Sequence, residues 1–106
     1  MISENAKFEV AMPLTRLKDE YLVEDGVRFL MKVEDGSSVA CRVSHEALLD
    51  HAGRVQLAGR DGEVFEAYRE LIEDIASDVY DAGAPFDNDG RILVTSEALA
   101  RVTRSA

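Results

Sequence analysis

Val27-Arg28-Phe29-Leu30-Met31-Lys32-Val33-Glu34-Asp35-Gly36-Ser37-Ser38-Val39-Ala40-Cys41-Arg42-Val43 is the stretch on which the fold turns. Val27, Phe29, Met31 and Val33 share one side of an extended segment, with Arg28 and Lys32 on the other. After the turn, Val39, Cys41 and Val43 alternate with Ala40 and Arg42. Side chains of a strand point to opposite faces with a period of two, so both runs describe strands with one buried face. Asp35-Gly36 between them supplies the turn, because glycine takes positive φ without a Cβ clash. The result is a β-hairpin. Leu30 is an apolar exception on the opposite face and marks partial cover there.

Downstream, Ser44 is positioned to N-cap a short helix running to Asp50 or His51. Its hydroxyl can accept from a free first-turn amide, and Glu46 suits the positive end of the helix dipole. Gly53 is expected to stop that helix, leaving 54–60 as a connector or one short strand from Arg54 to Ala58. Val64, Phe65, Tyr68, Leu71, Ile72, Ile75, Ala76, Val79 and Tyr80 then recur at spacings of three and four, the apolar face of a long helix. Asp61 can cap its start, Gly83 its end, and Pro85 forbids continuation. Asp87-Asn88-Asp89-Gly90 is a turn and Arg91 to Val94 a strand. Thr95 or Ser96 then caps a final helical turn through Leu99 and Val102.

Upstream, Lys7 to Met12 alternates polar and apolar residues as a first strand, ended by Pro13. Leu14 to Glu20 reads equally as a turn of helix or a loop. Tyr21-Leu22-Val23 is apolar, followed by a turn at Glu24-Asp25-Gly26. An apolar sheet face needs a cover, and the long helix is the obvious one. The expected architecture is therefore α+β: a small antiparallel sheet covered on one face by a long amphipathic helix, in the order β-β-β-α-α-β-α. At 106 residues one domain over 1–106 is expected. Each fully buried side chain of the nine-residue helix face contributes about 1.5–3 kcal/mol, so Ile75→Asp is expected to unfold the chain.

Several of these pieces together resemble a small bacterial family of uncharacterised proteins, the domain of unknown function 1488. They are Gly26-Val27-Arg28-Phe29, Asp35-Gly36, and Val39-Ala40-Cys41-Arg42-Val43-Ser44 running into His45-Glu46-Ala47-Leu48. The helix from Phe65 to Tyr80 with Arg69 inside it, and Ile92-Leu93-Val94-Thr95-Ser96, complete the set. The resemblance covers roughly residues 25–99, with 1–24 and the 54–61 connector outside the matching pieces. It implies an α+β fold and brings no assigned activity, cofactor or catalytic residue.

The formal net charge is −9, and it is uneven. Residues 1–60 carry ten acids against eight bases, residues 61–106 eleven against four. Such a chain is a poor candidate for generic binding to a nucleic-acid backbone or an anionic membrane, and no local basic patch stands out in the sequence. Met1 to Lys7 lacks a basic start followed by an apolar run, the apolar runs are short, and Cys41 is the sole cysteine. A soluble cytoplasmic protein without a disulfide is the expectation.

Candidate chemistry is sparse. His45 and His51 flank Glu46 and Asp50, but histidines six apart are about 120° from each other around a helix turning about 100° per residue. A zinc-binding pair needs a spacing of four. Both histidines are therefore expected at the solvent or at caps, and no metal or cofactor is expected. Cys41 could pair with His45 as nucleophile and base, yet it lies on the apolar side of its strand, where cysteine acts as a small hydrophobe. Asp87-Asn88-Asp89-Gly90 lacks the end ligands of a calcium loop. Gly59-Arg60-Asp61-Gly62 lacks the lysine of a phosphate loop.

The long helix is more unusual. Glu63, Glu66, Glu70, Glu73, Asp74, Asp78 and Asp81 face a single base, Arg69. Like charges four apart cost a few tenths of a kcal/mol per pair, roughly 0.2–0.5. The face is merely solvated, or Glu66, Glu70, Glu73, Asp74 and Asp78 meet a basic protein surface, or the row of acids mimics a nucleic acid. The first functional expectation is thus a non-enzymatic interaction module. The alternatives are a ligand or catalytic site around Cys41, Arg42 and His45, and a homodimer formed through a strand edge or the Leu30 face.

Overall fold

The hairpin closes around a turn in which Val33 and Ser37 are joined by a backbone hydrogen bond of 2.8 Å and Gly36 takes φ +94°. The computed structural model describes residues 14–83 and 85–105, so the strand expected at 7–12 lies outside the described residues. Two short strands precede the hairpin: β1 (Thr15–Arg16) and β2 (Leu22–Val23). The hairpin itself is β3 (Val27–Lys32) and β4 (Ser38–Val43), in the register Phe29 opposite Cys41 and Leu30 opposite Ala40. β1 and β2 both pair antiparallel with the outer edge of β3, at its two ends. Leu14 to Glu20, open between helix and loop in the sequence, therefore contains a two-residue strand and a crossing loop.

Asp25-Gly26 turns the chain from β2 into β3, with both residues at positive φ. A Cβ on Gly26 would lie 2.3 Å from the Val43 carbonyl oxygen and 2.9 Å from the His45 nitrogen. Glycine is required there both by conformation and by the close approach of the β4 exit.

Ser44 caps α1 (His45–Val55), its hydroxyl accepting from the Ala47 amide at 3.0 Å. The helix passes through Gly53, the expected stop, and ends at Gln56 in a left-handed conformation. The final turn holds because the Gln56 and Leu57 amides return to the Gly53 and Ala52 carbonyls. Gly53 is exposed and nothing crowds it, so the sequence loses only a modest propensity term by keeping it helical.

The long helix is two segments, α2 (Asp61–Ala67) and α3 (Arg69–Ala82), joined at Tyr68 with φ −122° and ψ 25°. The Tyr68 amide is shared between the Val64 and Phe65 carbonyls, and the Ile72 amide returns to Tyr68, so the ladder continues through the bend. Tyr68 meets the His51 ring edge-on at 4.4 Å. Arg60 rather than Asp61 takes the capping position of α2, its amide donating to the Glu63 carboxylate at 2.7 Å. Gly83 ends α3 at φ +81°, as expected.

β5 (Ile92–Val94) then joins β4 in parallel, making a mixed sheet of five strands among the described residues. The expected sheet was antiparallel throughout. A parallel partner needs a long crossover, and the three helices between β4 and β5 provide it. Thr95 caps α4 (Ser96–Ser105), accepting from the Ala98 amide at 3.1 Å. This last element is a full helix where a final turn was expected.

The four helices among the described residues follow the α+β plan, and the core lies between them and one sheet face. Val27, Phe29, Met31, Cys41, Val43, Ile92 and Val94 from the sheet meet Leu48, Val64, Phe65, Ile72, Ile75 and Leu99 from the helices. Among the described residues no helix is long and apolar enough to cross a membrane.

Candidate functional site

On α3 the residues Arg69, Glu73 and Ser77 are four apart and therefore form one row, and all three are buried. The row fastens the N-terminal strand and the crossing loop to the helix. Ser77 accepts from the Leu14 amide at 2.8 Å. The Glu73 carboxylate accepts from Arg16 Nε at 2.7 Å and from Arg69 Nε at 3.0 Å. Arg69 also donates to the carbonyls of Asp19 and Lys18 at 2.8 and 3.0 Å, and its guanidinium lies over the rings of Tyr21 and Phe65. Glu73 is thus set apart from the acidic face to which the helix pattern assigned it. No local pattern separates it from Asp74, which also lies between Ile72 and Ile75 and is exposed.

The other acids of the helix pair do face solvent. Glu66, Glu70, Asp74 and Asp78 are all exposed, as are Glu63 and Asp81. Glu66 accepts a hydrogen bond from the Tyr21 hydroxyl, which holds that phenol above its ordinary pKa. Between the crossing loop and the α2–α3 junction runs a groove of about 590 Å³, with Asp19, Glu66 and Glu70 in its lining. The cations that reach this groove, Arg16 and Arg69, are both tied to Glu73. A lysine or arginine entering it would meet carboxylates.

Cys41 is fully buried beneath the helices, and burial, with the nearby Glu73 charge, pushes its thiol up to about 12. Its sulfur contacts the Val39 carbonyl at 3.8 Å. A thiol in that state supplies almost no thiolate at neutral pH, so it is not poised as a nucleophile. His45 is exposed and bonds through Nδ1 to Asp61 at 2.9 Å, which raises its pKa. This pair joins the start of α1 to the start of α2. Arg42 turns instead to Asp25, donating to its carbonyl at 2.9 Å. Cys41, Arg42 and His45 therefore do not converge.

His51 departs from the sequence expectation, being 2% exposed rather than at the solvent. Burial, and then Arg54, lowers its pKa. Among the described residues no three metal-binding side chains gather.

Among curated proteins none matches the chain. A crystal structure of a protein of unknown function from the DUF1488 family of Shewanella loihica PV-4 is similar in fold, with a TM-score of 0.59. The two share 19% identity, and the likeness covers 77% of this chain and 91% of that one. The family described as protein of unknown function (DUF1488) matches residues 19–94, taking in the crossing loop from Asp19 and the 54–61 connector that the sequence resemblance left out. With well over half of its length matched, the chain belongs to the DUF1488 family.

Proposed function

We propose that the protein is a non-catalytic interaction module that docks a basic protein surface on the exposed acidic side of α2 and α3. The observation that carries this reading is the groove beside Tyr21, where Asp19, Glu66 and Glu70 line a concavity continuous with Glu70, Asp74 and Asp78 along the helix. Four-residue spacing puts those last three on one stripe, and none of the ion pairs among the described residues involves them. A helix stabilised for its own sake would alternate the signs of such a stripe. Electrostatic docking of this kind gives fast association that weakens as salt rises.

The test is co-purification from native extract at low and moderate salt, comparing the wild type with Glu70→Lys/Asp74→Lys. Both positions are exposed, so the variant is expected to fold. A stoichiometric partner lost at higher salt and absent from the variant supports the reading. Retention of every partner by the folded variant refutes it.

A further inference from the structure

The sheet has a second face, turned away from the helices, and its chemistry is opposite to that of the chain. The strand register puts Leu22, Arg28, Arg42 and Leu93 in one row across it, Leu30 and Ala40 in the next, and Thr15, Lys32 and Ser38 in the third. In a protein of net charge −9 these strand positions hold three bases and no acid. Acids reach the face from its turns: Glu24 lies 3.4 Å from Arg28 and Asp25 3.2 Å from Arg42. Asp87 and Asp89 hold Arg91 at 3.2 and 2.8 Å.

A groove of about 330 Å³ opens on this face. Leu22, Leu30 and Ala40 give it an apolar floor, and Lys18, Arg28 and Arg91 line it with a single acid, Glu20. The Nε of Arg28 is buried and has no hydrogen-bond partner among the described residues. A buried unpaired donor of that kind costs free energy.

We propose that this groove binds a small amphipathic anion, with a carboxylate or phosphate group against Arg28 and Lys18 and a compact apolar body over Leu22, Leu30 and Ala40. The volume is at the lower end of small-molecule sites, about 300–1,000 Å³, which fits one short chain or ring. Single-stranded nucleic acid is a poorer match. Its bases stack on exposed aromatic side chains, and of the two aromatics in the lining Phe29 is buried in the core and Tyr21 is packed against Phe65. The site lies on the sheet face turned away from α3, and shares Tyr21 and the crossing loop with the acidic groove.

The probe is decanoate, titrated by calorimetry and by amide chemical shifts, with decyl phosphate and uncharged decanol alongside. One anion is expected to bind saturably at one-to-one, shifting residues 18–22, 28–30 and 40. Arg28→Gln should weaken it by about tenfold or more, the loss of one charge-assisted hydrogen bond. Lys18→Gln, at an exposed position, serves as a second variant, and Lys32→Gln outside the groove should change little. Decanol should bind more weakly than either anion. Decanoate alone, or decyl phosphate alone, would each support the site and identify its head group. Absence of saturable binding by both anions would overturn the proposal, as would folded Arg28→Gln and Lys18→Gln proteins binding like the wild type. Two other outcomes would also overturn it: a dimer in sedimentation that Leu30→Asp dissolves, or pelleting with anionic vesicles without binding of the free amphiphiles.

Discussion

Glu73 is the residue at which two cationic side chains converge, and its environment sets the cost of losing it. Its side chain is 11% exposed, that of Arg69 9%, and that of Arg16 35%. Truncation by Glu73→Ala would leave the Arg69 guanidinium buried beside Tyr21 and Phe65 without its carboxylate. Removing one partner of a buried pair costs about 3–5 kcal/mol, and urea denaturation is expected to show a loss of that order. Arg16→Ala removes the more exposed partner and should cost much less. Gly26 gives a second residue-scale prediction. Its φ of +100° and the 2.3 Å approach of a Cβ to the Val43 carbonyl mean that alanine can enter only if the β2–β3 turn moves. Gly26→Ala is expected to destabilise by about 1–3 kcal/mol, the range for imposed backbone strain, whereas Gly36→Ala meets no neighbouring atom and should cost less.

At the scale of elements, the hairpin, the α1 cap at Ser44 and the α3 stop at Gly83 were legible in the sequence because each rests on a local rule. Alternation, a hydroxyl beside free amides and a glycine at positive φ need no knowledge of the rest of the chain. The bend at Tyr68 and the parallel pairing of β5 depend on what the elements meet after folding. Glu73 was hidden for the same reason: its partner Arg16 is 57 residues away. The basic rows of the open face were present as Arg28, Lys32 and Arg42 on one strand parity, but only the register of β3 with β4 gathers them. The His45–Asp61 pair between α1 and α2 supplies a prediction at this scale. The hydrogen bond to Asp61, and then its charge, raise the folded pKa of His45 above its usual value of about 6.5. The contribution is therefore complete below about pH 6.5 and is lost as pH rises through the raised folded value. The stability difference between wild type and Asp61→Asn should be larger at acidic than at alkaline pH. A difference that does not change with pH would refute the linkage. His51, whose pKa burial lowers, acts in the opposite sense in both proteins and cancels in the comparison.

Over the whole molecule the charge is separated: acids on the outer side of α2 and α3, bases on the strand positions across the sheet. Repulsion along Glu70, Asp74 and Asp78 is exposed and therefore screened by salt, with a Debye length falling from about 30 Å at 0.01 M to about 3 Å at 1 M. Thermal stability is expected to rise over that range, and Asp74→Lys should reduce the rise by converting two repulsive pairs into attractive ones. A melting temperature independent of salt would contradict this. The order of the strands has a further consequence, for the chain as it is made. β4 acquires its second neighbour only after three helices have been added, so until Ile92–Val94 emerges it presents an open edge. Unpaired edges recruit other strands. A ribosome that stalls within α3 would release a hairpin with its apolar side already formed and one border still seeking a mate, and such a fragment is a natural client for a chaperone.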